Sequence, residues 1–208
     1  MMSNESARDE PYQDELLQIV DRNGNPTGTA ARSECHGNPE LIQAVVHLHL
    51  FDRTGRLYLQ RRAAGKDRYP GRWDTSVGGH VNPGESPDQA IRREAREELG
   101  IDLEHPGVAG AGVPRGTGLS GAAPFQPNPA IGPCRLERLE PYIYGDQIET
   151  EFVVPYRAVY DGSPRPNPNE VEEGGFFELE EIRRRLREGP DRFTPHFQQA
   201  FGHLLRGE

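Results

Sequence analysis

Residues 79–101 read Gly-His-Val-Asn-Pro-Gly-Glu-Ser-Pro-Asp-Gln-Ala-Ile-Arg-Arg-Glu-Ala-Arg-Glu-Glu-Leu-Gly-Ile. Ser86 followed by Pro87 reads as an N-cap and a first-turn proline, the pair that opens a helix where backbone donors lack partners. Ala90, Ile91, Ala95 and Leu99 recur at helical spacing and form one apolar stripe. Gly100 ends the run, because a glycine past the last turn adopts the left-handed conformation without steric cost. The spacing therefore predicts a helix over 87–99. Ahead of it, Gly78, Gly79 and Gly84 read as a loop that lets a ligand approach the backbone closely. Glu94, Glu97 and Glu98 stand at i, i+3 and i+4, so their carboxylates share one face. Such a cluster repels itself unless a cation joins it. Mg²⁺, which takes oxygen ligands and keeps waters, is the expected occupant, with Mn²⁺ as a substitute. Arg93, four residues before Glu97, is placed to pair with it. On the three glutamates alone, a solvated acidic face with ordinary ion pairs would explain the pattern as well; the wider motif decides.

The chain has 208 residues and a formal net charge of −9, with a pI near 5.3. That length fits one domain with a single substantial core. An acidic balance argues against nonspecific binding to a nucleic acid polymer or a membrane surface, both of which favour a clustered basic patch. No apolar run approaches the length of a bilayer span, and residues 1–13 lack a signal peptide's apolar core. The expectation is a cytoplasmic protein with a small-molecule partner; a homodimer is compatible with it. Cys35 and Cys134 stand in neither a CxxC spacing nor a disulfide framework and read as free thiols.

Residues 1–13 are polar and expected to be disordered, leaving 14–208 as the domain. Residues 16–20 read as a strand, 21–25 as a turn and 27–31 as a second arm, together a small hairpin. The most apolar strand is 42–51, turned by 52–55 into 57–60. His47 and His49 share one face of that strand and read as packed or surface histidines rather than ligands. The Gly/Pro-rich stretch at 105–134 is expected to be an inserted, mobile excursion, since its composition cannot fill a core. Strands are expected at 139–144, 152–160 and 175–177, and helices at 179–186 and 194–205. Arg183, Arg184, Arg185 and Arg187 lie on a terminal helix with Glu180, Glu181 and Glu188 and read as an ion-paired surface. Tyr69, Trp73 and Phe125 are candidates to stack on a base, with a core anchor the commoner role for a tryptophan beside Pro-Gly.

The opening stretch fits G-x5-E-x7-R-E-U-x-E-E-x-G-U through Gly79, Glu85, Arg93, Glu94, Glu97, Glu98 and Gly100, and it resembles the Nudix box. The resemblance implies an α/β Nudix fold, a mixed β-sheet sandwiched between helices. It implies Glu94, Glu97 and Glu98 as metal ligands, with Glu97 and Glu98 also catalytic and the Gly79 carbonyl as a further metal contact. It implies Glu85 and Arg93 as structural support of the box. Beyond the box, 16–32, Gln60-Arg61-Arg62 with Lys66, 70–73, Gly78-Gly79-His80 and Phe193-Thr194-Pro195 resemble the Nudix branch that includes isopentenyl-diphosphate isomerase and hydrolase-like relatives. In that branch Arg62 and Lys66 match positions that contact diphosphate.

Two departures from the isomerase pattern favour hydrolysis. The isomerases place a proton-transferring cysteine directly before the Gly-His of this turn, where Gly78 stands. They also bind a metal through N-terminal histidines; His36 matches one, and Gln43 stands where another is expected. His80, Glu149 and Glu151 do match isomerase metal positions. The expectation set first is metal-dependent hydrolysis of a diphosphate linkage in a nucleoside diphosphate derivative or related organic diphosphate. Glu149 or Glu151, i and i+2 on one strand side, is the candidate base. An isomerase-like enzyme is set second, and a non-catalytic nucleotide-binding sensor third.

Overall fold

The computed structural model describes residues 14–103 and 136–206. The expected tail at 1–13, the expected excursion at 105–134, Phe125 and Cys134 lie outside the described residues.

The organising element is β3 (Ile42–Phe51), ten residues with nearly every side chain buried. It pairs in parallel with β9 (Thr150–Val159), in register from Ile42↔Thr150 to Phe51↔Val159. Its other ladder carries β6 (Val77–His80), antiparallel, and at its two ends β1 (Leu16–Val20) and β4 (Leu57–Arg62). Because strand side chains alternate, Ala44, Val46, Leu48 and Leu50 face one way. There they pack with Ala90, Ile91, Ala95 and Leu99 of α2 (Pro87–Leu99). The opposite face meets a second cluster, in which Phe51, Leu57 and Leu59 contact Ile182 of α3 (Leu179–Glu188) and Phe197 and Phe201 of α4 (Pro195–Arg206). A mixed sheet is thus held between helices, as expected from the resemblance. Each fully buried Leu, Ile or Phe contributes about 1.5–3 kcal/mol.

The box helix forms over the expected residues. Ser86 Oγ accepts from Gln89 N at 3.3 Å and Gln89 Oε1 accepts from Ser86 N at 2.8 Å, a reciprocal cap. Gly100 closes it at φ 61°. The N-terminal hairpin is also present, β1 pairing with β2 (Pro26–Ala31) over the small cluster of Leu17, Ile19, Ala30 and Cys35, the last a buried free thiol.

Three expectations are corrected, and two elements are added to them. Gly78 and Gly79 lie in β6, not in a loop; paired with His47 and Val46, they gain a ladder that no side chain of theirs announces. Of the strand expected at 139–144 only 142–144 form, within β8 (Tyr142–Gly145), and a two-residue β7 (Glu137–Arg138) lies ahead of it, both antiparallel to β9. The last strand, β10 (Val171–Phe177), begins earlier than 175 because it follows β4 back to Arg62. A short α1 (Arg32–Cys35) and the two-residue β5 (Trp73–Asp74) were not anticipated. No described helix is long and apolar enough to cross a membrane.

Candidate metal and diphosphate site

β6 is the floor of the site, and its two glycines open to opposite sides. A Cβ on Gly79 would run into the Glu94 carboxylate, whereas one on Gly78 would stand 3.3 Å from His47 Cδ2. Glu94 therefore lies against bare backbone at Gly79, close to where a Gly79 carbonyl ligand is implied. Arg93 fastens this arrangement through several donors. It gives Nε and Nη2 to the two Glu85 oxygens, both at 3.0 Å, and Nη2 to the His80 carbonyl at 2.9 Å. Its Nη1 reaches Glu94 at 2.7 Å and Glu97 at 3.2 Å. Glu85 in turn accepts from Asn82 N at 3.0 Å, which ties the preceding loop to the helix.

The three box carboxylates differ in exposure. Glu97 keeps 55% of its side chain in solvent, while Glu98 is 7% exposed and accepts from Gln60 Nε2 at 3.0 Å. Burial, with the charge of Glu94 adding to it, pushes Glu98 up to about 8. Burial likewise raises Glu94 to about 7 although Arg93 pulls it down. Desolvated carboxylates one turn apart hold their protons unless a cation supplies the missing solvation, so this donor set fits a hard divalent ion.

On the other side of β6 a second group gathers. Glu149, just ahead of β9, Glu151 on it and His196 in the first turn of α4 bring their ligand atoms within 4.8 Å of one another. His196 Nε2 is 3.2 Å from Glu149 Oε1 and 3.4 Å from Glu151 Oε1. Burial works against a charged His196, but the two glutamates outweigh it and raise its pKa to about 10. Glu149 is held below the usual carboxylate range: burial opposes this, and His196 and Arg68 overcome it. Gln43 Nε2 donates to Glu149 Oε2 at 3.2 Å, Arg68 contacts Glu149, and His36 Nε2 stands 3.9 Å from it. Among the described residues, Gln43 Oε1, His47 Nδ1, Tyr142 OH, Glu151 Oε2 and His196 Nε2 are buried without a hydrogen-bond partner. Buried polar atoms rarely go unpaired, and this many near one carboxylate pair fit a bound cation. His80 sits nearby, its Nδ1 3.9 Å from Glu15 Oε2.

Arg62 and Lys66 are engaged elsewhere. Arg62 Nη1 donates to Asp74 Oδ2 at 3.1 Å and Nε to the Arg68 carbonyl at 3.0 Å, while Lys66 contacts Glu170. Trp73 packs edge-on to Phe177 at 5.3 Å, in the role of a core anchor, and His47 and His49 are both buried. Arg183, Arg184 and Arg185 pair with Glu180, Glu188 and Glu181. The sequence reading missed His196. Its signal was a polar stripe, His196, Gln199 and His203 at i, i+3 and i+7, on a helix otherwise rich in Phe and Leu.

The NUDIX domain family profile matches residues 40–197. An isopentenyl-diphosphate Delta-isomerase of Streptomyces griseus subsp. griseus is 34% identical over 175 residues, covering 84% of this chain and 77% of the relative. One from Agromyces mediolanus is 31% identical over 181 residues, 87% and 76% of the two chains. Among solved structures, DR0079 from Deinococcus radiodurans superposes with a TM-score of 0.61 at 25% identity, covering 84% of this chain and 90% of its own. A NUDIX hydrolase from Alicyclobacillus acidocaldarius shares the fold at 16% identity and TM-score 0.55, covering 79% and 91%. The curated relatives carry the name of the reading set second in the sequence, the isomerase, rather than of the hydrolase set first.

Proposed function

The chain belongs to the Nudix family, and we propose that it is a divalent-metal-dependent enzyme of organic diphosphates whose reaction is hydrolysis of the diphosphate linkage. The observation that carries this reading is position 78. The branch's isomerases keep a proton-transferring cysteine there; this chain has glycine, and the buried His47 ring stands 3.3 Å from where a Cβ would lie. The box meanwhile keeps all three of its glutamates.

In this reading Glu94, Glu97, Glu98 and the Gly79 carbonyl hold Mg²⁺ or Mn²⁺, and Arg93 with Glu85 keeps the helix seated. The bound ion neutralises phosphate oxygens and makes water easier to deprotonate. Arg62 and Lys66 take the diphosphate by exchanging their present carboxylate partners for phosphate oxygens. Glu97 or Glu98 takes the proton of the attacking water, the new bond forms at phosphorus, and the bridging oxygen leaves with the departing group; Glu149 and Glu151, the other candidate bases, gather on the opposite side of β6 with His196.

A second reading, isomerisation, is favoured by the names of the curated relatives and by His36, His80, Glu149 and Glu151 at matching positions. One experiment separates the two. The purified protein is incubated with Mg²⁺ or Mn²⁺ and a panel of nucleoside diphosphate derivatives and isoprenoid diphosphates, and products are followed by phosphorus and proton NMR. Cleavage of a phosphoanhydride supports the proposal. Conversion of isopentenyl to dimethylallyl diphosphate without cleavage replaces it with the second reading, and binding without turnover replaces both with a sensor.

A further inference from the structure

From the end of β4 to the start of β5 the chain carries a run of cations, Arg61, Arg62, Lys66, Arg68 and Arg72. All but the last are matched by carboxylates. Arg61 pairs with Glu172 and Glu173, Arg62 with Asp74, Lys66 with Glu170 and Arg68 with Glu149. Among the described residues Arg72 has no carboxylate partner: its guanidinium reaches the Phe193 carbonyl at 3.5 Å and lies 5.3 Å from the centroid of the Tyr69 ring. The side chain is half-buried, so water screens its charge only in part.

The backbone sets this cation against a like charge. Arg62 N donates to the Arg72 carbonyl at 2.9 Å and Gly71 N to the Arg62 carbonyl at 3.0 Å, which continues the β4–β5 ladder beyond Arg61↔Trp73 and places Arg62 and Arg72 opposite each other. Opposed side chains share a face, and like charges there repel. Asp74, two residues on and so on that face, accepts from Arg62 through Oδ2 at 3.1 Å, while its Oδ1 accepts from Thr194 Oγ1 and Thr75 N. One carboxylate thus stands beside two guanidinium groups. Tyr69 adopts φ 50°, in the left-handed region, immediately before Pro70, where a residue is ordinarily extended. Strain of this kind persists where surrounding contacts over-determine it. Here they are Arg68 and Arg72, 5.1 and 5.3 Å from the ring centroid, and the His196 ring, edge-on at 5.8 Å. Arg72 is so held at the start of α4, beside the sheet-side group.

We propose that Arg72 is a phosphate-binding residue of this site, closing with Arg62 on the phosphate of the substrate that lies farther from the box helix. Lys66 stands at the nearer end: it contacts Glu170, whose N donates to the Asn167 carbonyl at 2.9 Å, and Asn167 N donates to the Glu98 carbonyl at 2.8 Å. Arg62 and Arg72 stand at the end toward α4. Two guanidinium forks on one face suit the several oxygens of a phosphate, and the anion supplies the charge that Asp74 alone does not. Arg72 lies outside the positions that the resemblance gives for diphosphate. Its role rests on the site being one for organic diphosphates, whichever reaction follows.

The test uses no turnover. The purified full chain, with Mg²⁺, is titrated with methylenediphosphonate, whose bridge cannot be hydrolysed, and binding is read by calorimetry. The Arg72 guanidinium is followed in ¹⁵N–¹H spectra, its signal identified by its absence from Arg72→Lys. In the wild type that signal should shift as the probe binds. Arg72→Ala should weaken binding about tenfold or more, and Arg72→Lys, which keeps the charge and loses the fork, by less. Arg62→Ala with Arg72→Ala should lose less than the two single losses combined, because both act on one phosphate. Arg183→Ala, on the surface of α3, should bind as the wild type does. Equal binding by the wild type and Arg72→Ala, or an Arg72 signal unmoved while the probe binds, overturns the proposal and leaves the diphosphate reading standing. Strictly additive losses overturn the shared phosphate in the same way. Should Arg72→Ala fail to fold, Arg72→Lys and the wild-type spectra decide. A wild type that takes up no methylenediphosphonate overturns both readings.

Discussion

Gly79 and Glu94 are packed so tightly that the glycine cannot acquire a β-carbon without displacing the carboxylate beside it. Gly79→Ala should therefore lower metal-dependent turnover by about a hundredfold or more, since it moves a charged ligand rather than merely crowding it. Gly78→Ala meets His47 Cδ2 at 3.3 Å and Thr75 Cγ2 at 3.5 Å and should cost about 1–3 kcal/mol of stability while keeping most activity. Steady-state kinetics and thermal unfolding of the two variants check the contrast.

Glu98→Gln and Glu97→Gln should each reduce turnover by about a hundredfold with the fold intact. Their stabilities should differ. Glu98 is buried and its carboxylate is disfavoured by desolvation, so the metal-free amide variant should unfold at an equal or higher temperature at pH 8 and above. Glu97 is largely solvated, and its replacement should leave the unfolding temperature nearly unchanged.

Arg93→Lys keeps a charge and loses a shape. Lysine cannot at once reach both Glu85 oxygens, the His80 carbonyl, Glu94 and Glu97. The expected result is a loss of about 1–3 kcal/mol in stability and metal affinity about tenfold weaker, measured by denaturant titration and calorimetry.

His49 predicts a pH effect. Burial, assisted by His47 and Arg157, depresses its pKa to about 3 from an unfolded value near 6.5. The unfolded chain then binds the extra proton first, so stability falls as pH drops from 6.5 toward 3 and is unaffected above that window. His49→Gln should flatten this acid limb in a series of unfolding midpoints. An unchanged slope would show that other groups set it.

The box helix was legible because its caps and its apolar stripe are all local, and Ser86, Gly100 and Ile91 each do in the structure what their positions suggest. β6 was not. Val77, Gly78, Gly79 and His80 carry little strand propensity of their own, and only the partner residues Leu48, His47, Val46 and Val45 make them a strand. His196 was hidden for a related reason: its neighbours in the site, Glu149 and Glu151, come from another strand and share no periodicity with α4. Sequence spacing reads faces of single elements, and this part of the site is made between elements.

The parallel ladder of β3 with β9 pairs residues such as Gln43 and Glu151, 108 positions apart along the chain. Closing so long a loop costs chain entropy that no local contact returns in advance. The helix that carries the box can nucleate early from its own caps, but Glu149 and Glu151 reach Gln43 and His47 only when β9 docks. Refolding should therefore regain helical signal before it brings the Glu149 carboxylate beside the Gln43 amide, and that contact marks the completed topology.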